Sequence, residues 1–505
     1  MKLPTGPGAR DTPPTALSRR EFIGLAGAGY ASLVIGGCSS GPSRIEATSS
    51  EVDRAEQRRR RRDATVHDLR LTAAPLTLDL GGIPAATWGY NELVPGPEVR
   101  VRAGDVIRAH FTNRLPEPTT IHWHGIALRN DMDGVPGVTQ EAVAPGGTFD
   151  YEFTLPDPGS FWFHPHVGLQ LDRGLYAPLI VEDPREPGGY DREVNIVLDD
   201  WVSGIGATPE EALADLRAGR GPHAAHAAGG GPRSEALDGA GGDVSYPLFL
   251  INGRQPRDPF VLRAGRGERL RLRIVNAGSD SPFRVALGGH RLTVTHTDGF
   301  PVEPVTVDTL IVGMSERYDV IVTMAEEGSF PLVAVAEAKG NQAVAIVQVG
   351  GGAPTLAQGT PRLPELAGRL LTMADLKATE AVTLAGGRPD RTHEVVLDGG
   401  DEGYRWTING KVGMQAKPLE VKEGEKVRLV FVNRTTMFHP MHLHGHTFQV
   451  VTPGSRGPRK DSAIVLPNQR LTVDFVADNP GQWLVHCHNI YHMEGGLEVM
   501  VSYVR

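Results

Sequence analysis

The sequence predicts an all-β chain of three sandwich domains, and three observations carry that prediction. Gly 62 and Pro 39 among 505 residues, with only 6% aromatic residues, point to short strands and frequent turns rather than long helices. The runs Arg100-Val101-Arg102, Thr148-Phe149-Asp150-Tyr151-Glu152-Phe153 and Arg269-Leu270-Arg271-Leu272-Arg273-Ile274 alternate at the period of half-buried strands. The third observation is an internal repeat, which sets the number of domains.

Gly104, Gly267 and Gly424 are each followed nine residues later by an asparagine, namely Asn113, Asn276 and Asn433. Eighteen and twenty residues after the same glycines stand His122 and His124, Val285 and Leu287, and His442 and His444. A second register starts from Gly159, Gly328 and Gly481. Five and seven residues on come His164 and His166, Val333 and Val335, then His486 and His488. The domains therefore fall at about 65–185, 190–350 and 390–505, of a size expected for a chain of this length. Only the outer two carry histidine pairs, and the middle one reads as a spacer that brings their faces together.

In chain order, residues 1–37 read as an export signal. Ser18-Arg19-Arg20-Glu21-Phe22-Ile23 is a twin-arginine pattern, and the apolar run to Gly37 is too short for an ordinary membrane span. It ends in Ile35-Gly36-Gly37-Cys38, a lipoprotein-type cleavage box in which Cys38 becomes a lipidated N-terminus that contacts the membrane. The expected location is extracytoplasmic, anchored in the cell envelope. Residues 38–64 read as a flexible tether, and their run Arg58-Arg59-Arg60-Arg61-Arg62 as a solvated linker or an attraction for anionic lipid. Residues 202–245, with His223 and His226, read as a disordered insertion or a weak auxiliary metal site, and 353–390 as an interdomain linker. The net charge of −9 argues against nucleic acid as a partner.

The chemistry sits in four motifs: His122-Trp123-His124, His164-Pro165-His166, His439-Pro440-Met441-His442-Leu443-His444, and His486-Cys487-His488 with His492. Side chains at i and i+2 of a strand share a face, so each pair presents two imidazoles to one side. In the last motif Cys487 points away from its neighbours. One strand then serves two metal sites, and a thiolate with imidazoles suits copper used for electron transfer.

These motifs, their order and the threefold repeat resemble the multicopper oxidases, the laccase and copper-resistance oxidase family, over essentially all of residues 65–505. The export signal and the text His124-Gly125-Ile126-Ala127-Leu128-Arg129-Asn130 are most similar to its actinobacterial lipoprotein branch, associated with copper tolerance. The resemblance implies cupredoxin-like Greek-key sandwiches and four copper ions. Type 1 copper would be held by His439, Cys487 and His492, and type 2 by His122 and His442. The type 3 pair would take His124, His164 and His488 on one ion and His166, His444 and His486 on the other. The implied reaction couples four one-electron oxidations of a donor to reduction of O₂ to water.

A proton-handling carboxylate is also implied. Asp133 matches the family's first-domain acid, with an Asp-Gly turn as its plain alternative. The second acid's usual places hold Ile490 and Met493, which leaves Glu494 as a substitute. Leu497 stands where some members carry an axial methionine, which predicts a relatively high type 1 potential. Expected donors are cuprous ion, phenols and aromatic amines, with ferrous ion as a further class. Asp461 and Glu494 are rim acids for a metal donor, Met437 and Met441 are contacts for cuprous ion or core residues, and a cleft near His439 or His492 suits an aromatic donor. The favoured oligomeric state is a monomer. The alternatives are a copper-sequestering or structural envelope protein and, less in keeping with eight cluster histidines and a third domain, a copper nitrite reductase.

Overall fold

A computed structural model describes residues 43–505 apart from 187, 222–229, 356–360, 385 and 401. The expected signal 1–37, Cys38 and the His223/His226 pair lie outside the described residues. Those residues form six sheets, stacked in pairs as three β-sandwiches. The first sandwich pairs two four-stranded sheets, and the second and third each pair a six-stranded with a five-stranded sheet.

The repeat is a repeat of structure. Asn113, Asn276 and Asn433 are buried at the ends of equivalent strands. Each Oδ1 accepts from the backbone N–H two residues on, in Leu115, Gly278 and Thr435. Each Nδ2 donates to the carbonyls of a neighbouring loop and of Val143, Val312 or Val465. An asparagine is needed because its amide offers a donor and an acceptor at one end of a short side chain. Gly159, Gly328 and Gly481 take φ of 149°, 146° and 149°. A Cβ on Gly159 would stand 2.5 Å from Gly299 and one on Gly481 2.4 Å from Asn130, so at the entry to the two outer strands neighbouring chain occupies the place of a side chain.

Two sequence expectations change here. The strand Arg269–Asn276 is not half-buried but buried after its first residue. Arg271 and Arg273 face a domain seam, where they pair with Asp319, Glu186 and Glu193. Residues 43–64, expected to be a flexible tether, pack onto the body. Ser50–Arg59 is a helix with Val52, Ala55 and Glu56 buried, and Glu56 accepts from Thr154. The arginine run is a row of contacts. Arg58 pairs with Glu423, Arg59 donates to Ala127 O and Asn479, and Arg60 pairs with Glu152. The apolar face of the helix and these acceptors on the first and third sandwiches fix it in place.

Candidate metal centre

Ten histidines and one cysteine gather at two places between and within the outer sandwiches. In the first sandwich the strands His122–His124 and Gly159–His164 are antiparallel neighbours with His122 opposite His164. In the third, His439–Leu443 and Gln482–Cys487 put His442 opposite His486. The two hairpins face each other in pseudo-twofold fashion. His122 stacks on His444 at 3.9 Å and His124 on His442 at 3.8 Å, ring centroid to centroid.

Hydrogen bonds fix which nitrogen of each ring can bind a metal. His122 Nδ1 donates to Asp133 O at 2.8 Å and His442 Nδ1 to Asp461 O at 2.9 Å. A carbonyl only accepts, so the proton is on Nδ1 and the lone pair on Nε2. Both Nε2 atoms are buried without a hydrogen-bond partner. Orphaned buried acceptors of this kind suit a bound cation. His164 and His486 are oriented alike by the carbonyls of Pro165 and Cys487. His124 is reversed, with Nε2 on Asp461 Oδ1 at 3.1 Å and Nδ1 turned inward.

The free nitrogens form compact sets within ligand reach: His122, His124 and His442; His124, His164 and His488; His166, His444 and His486. Within them the nitrogen–nitrogen distances are 3.5 Å for His124–His164, 3.4 Å for His164–His488, 3.5 Å for His166–His486 and 3.0 Å for His444–His486. Burial, reinforced by neighbouring imidazoles, drives His124, His164, His444, His486 and His488 well below the usual histidine range, and His166 to about 3. Neutral imidazole is the form that binds a metal.

The second place holds His439, Cys487 and His492. His492 lies on the short helix Ile490–Glu494, whose start is capped by Asn489 accepting from Tyr491 and His492 N–H. The two Nδ1 atoms are 3.0 Å apart, and Cys487 Sγ is 3.6 Å from one and 3.5 Å from the other. A point inside that triangle is about 2 Å from every corner, close to a metal–imidazole or metal–thiolate bond length. The outer nitrogens are held by Thr435 Oγ1 at 2.8 Å for His439 and Asp243 Oδ2 at 2.9 Å for His492. Leu497 is buried, and its carbonyl accepts from Cys487 N–H at 3.0 Å.

The acids depart from expectation. Asp133 is where the motif placed it, with Oδ2 2.9 Å from His444 Nδ1. Glu494 is not brought to the histidine cluster. It lies by Glu498 and Arg217, and burial raises its carboxyl. Asp461 is not a rim acid at the cysteine site. It is fully buried against His124 and His442, as the pseudo-twofold mate of Asp133. Its place was hidden because the turn from His442 to Asp461 contains the hairpin Phe448–Lys460, so the count from His122 to Asp133 does not carry over. Asp243 was missed altogether. It comes from the segment expected to be a disordered insertion, which carries a capped helix over Pro209–Arg217 and delivers this carboxylate to His492 and to Tyr404 OH. No motif signalled it. His439 and His492 are buried beneath Trp406 and Asp243 rather than lining a cleft.

Comparison with known proteins agrees with this geometry. Three successive family models described as multicopper oxidase match residues 74–186, 196–352 and 388–504. The chain is 46% identical to the multicopper oxidase MmcO of Mycobacterium tuberculosis, over 97% of this chain and 98% of that one. It is 28% identical to a copper resistance protein A homolog of Pseudomonas syringae pv. tomato, over 85% and 90%. The crystal structure of the laccase from Botrytis aclada superposes with a TM-score of 0.72 at 28% identity, covering 88% of each chain.

Proposed function

The chain belongs to the multicopper oxidase family and is a laccase-like copper oxidoreductase, and from that premise we propose how its residues divide the work. His439, Cys487 and His492 hold a type 1 copper, and His122 and His442 a type 2 copper. His124, His164 and His488, with His166, His444 and His486, hold a type 3 pair. Four bound coppers would supply one-electron transfer chemistry, so that four donor electrons together with four protons would convert O₂ to two waters.

The observation that carries this division is the strand Gln482–Cys487 and its continuation. Cys487 points to one triangle, while His486 and His488, one residue along the backbone on either side, point to the others. The chain thus joins the two places covalently. Asp133, touching His122 through its carbonyl and His444 through its carboxylate, orients both rings and is the group placed to move protons there. Asp243 and Thr435 set the orientation of the imidazoles beside Cys487.

The donor classes are cuprous ion, phenols, aromatic amines and ferrous ion, and the biological role is copper tolerance. The copper-resistance name of one relative supports the role in copper tolerance, and the fit of the donor set to copper supports the oxidase chemistry. Export by the twin-arginine route and lipid anchoring through Cys38 complete the proposal. Copper content, the blue absorption band and O₂ uptake with a phenol and with cuprous ion test it together. A protein that binds four coppers without colour or O₂ uptake would be a store, not an oxidase.

A further inference from the structure

The middle sandwich holds no ligand of either site, yet one of its side chains reaches the histidine cluster. We propose that Arg317 is a positioning residue for His124 and His442, acting through Asp461; this rests on the reading that those histidines bind the type 2 and type 3 coppers.

Arg317 is fully buried, and all five of its N–H groups are used. Nε donates to Ser160 O at 3.0 Å. Nη1 donates to Ser315 O at 3.1 Å and Asp461 Oδ1 at 2.7 Å. Nη2 donates to Asp298 O at 3.1 Å and Asp461 Oδ2 at 2.5 Å. One guanidinium therefore touches all three sandwiches. Ser160 belongs to the strand that ends in His164, Ser315 and Asp298 to the middle sandwich, and Asp461 to the third.

What Arg317 holds is what holds the histidines. Asp461 takes His124 Nε2 on Oδ1 at 3.1 Å and His442 Nδ1 on its carbonyl at 2.9 Å. Ser462 Oγ donates to Asp461 Oδ1 at 2.9 Å and lies 3.3 Å and 3.2 Å from the same two rings. A buried carboxylate without a cation is costly, and the two-pronged pairing fixes its plane as well as its charge. The space is filled: a Cβ on Gly125, next to His124, would lie 2.6 Å from Asp461 Oδ2 and 2.7 Å from Arg317 Nη2. Lysine cannot replace this group, because a single ammonium has three donors on one atom and cannot span Ser160 and both carboxylate oxygens.

Lys460 supplies the comparison. It is fully buried one residue away and pairs with Asp298 and Glu316 across the same seam, but none of its bonds ends on a carboxylate that holds a histidine. Arg317→Lys, Asp461→Asn and Lys460→Met are loaded with copper beside the unaltered protein. Copper content is measured, with the type 2 paramagnetic resonance signal, the blue band and the thermal midpoint. Weakened support of a ligand lowers metal affinity by roughly 10- to 100-fold. Arg317→Lys and Asp461→Asn should therefore lose the type 2 signal and about two coppers while keeping the blue band. Lys460→Met should lower the midpoint and keep all signals. Full copper and an unchanged type 2 signal in Arg317→Lys or in Asp461→Asn overturn the proposal. So does equal copper loss in Lys460→Met, or failure of the first two to fold while the third folds, since either makes the pair purely structural. A missing type 2 signal in the unaltered protein would instead overturn the copper assignment on which the inference rests.

Discussion

The first and middle sandwiches turn the same corner with the same asparagine, but the middle one takes an extra residue to do it. Asn113 Nδ2 reaches the carbonyl of Glu117, four residues on, and Asn433 that of Met437, also four. Asn276 reaches Ser281, five residues on. Downstream, His122 faces His164 and His442 faces His486, whereas Val285 faces Ala334 and Ala286 faces Val333. Counting from the glycines had placed Val285 and Leu287 at the histidine positions; the added residue moves that equivalence to Ala286 and Gly288. The extra residue is taken up in the corner, so the pairing of the hairpin is kept and the side chains at the histidine positions are simply absent: Ala286 faces Val333 as His122 faces His164. The scaffold survived because its asparagine and glycine anchors did. In the proposed assignment the outer hairpins carry the ligands, and the middle domain contributes through charge at the seams.

The sharpest way to break this comparison is at Cys487, whose counterpart in the first sandwich is Pro165. Cys487→Ser should abolish the blue band and donor oxidation completely while His486 and His488 keep their copper. Retained donor oxidation would mean that electrons enter elsewhere. Next in size is the first-sandwich acid. Asp133→Asn keeps the volume and should keep copper, yet lower turnover by about 10² to 10⁴, the usual worth of a positioned acid or base. An unchanged rate would leave Asp133 as an ordinary turn residue.

The anchors themselves give a third test. Asn276→Ala and Asn433→Ala should each cost about 1 to 3 kcal/mol or more in thermal or denaturant unfolding, because buried carbonyls and N–H groups lose their partner. Only Asn433→Ala should also reduce copper binding, since Thr435, which holds His439, is bonded to that amide. Equal copper loss in both would erase the division between platform and spacer.

The middle domain also has a half-buried histidine that belongs to none of the candidate metal groups among the described residues. Burial, together with nearby Arg271, holds His296 near about 4 despite Asp319 and Glu186. Its ordinary value is about 6.5. The unfolded chain therefore binds the proton first, and the stability this histidine contributes is full above about pH 6.5 and is lost as pH falls towards 4. The loss is at most about 3 kcal/mol. His296→Gln should flatten that part of the curve of thermal midpoint against pH. The smallest expected effect is at Leu497, where Leu497→Met adds a thioether beside the type 1 site and should lower its potential modestly in a redox titration.

Much of this was legible from residues alone. The sandwiches, their number, the ten histidines and Cys487 were readable because repeated glycines and asparagines fix the count to the ligands. Asp461, Asp243 and Arg317 were not readable, for a common reason. Each acts across a seam between domains, where partners are far apart in the chain and no local period records them. The arginine run at 58–62 shows the converse: its composition suggests a solvated stretch, and only acceptors far away in the chain, Ala127, Glu152, Glu423 and Asn479, make Arg58, Arg59 and Arg60 a clasp.

One cysteine-bound copper and three more between the outer domains would make four coppers per chain. Copper stoichiometry with paramagnetic resonance on the loaded protein tests it most directly. Four coppers per chain are expected, with one type 1 and one type 2 signal and a silent coupled pair. Two coppers per chain, or a type 2 signal that persists unchanged in His442→Val, would contradict it.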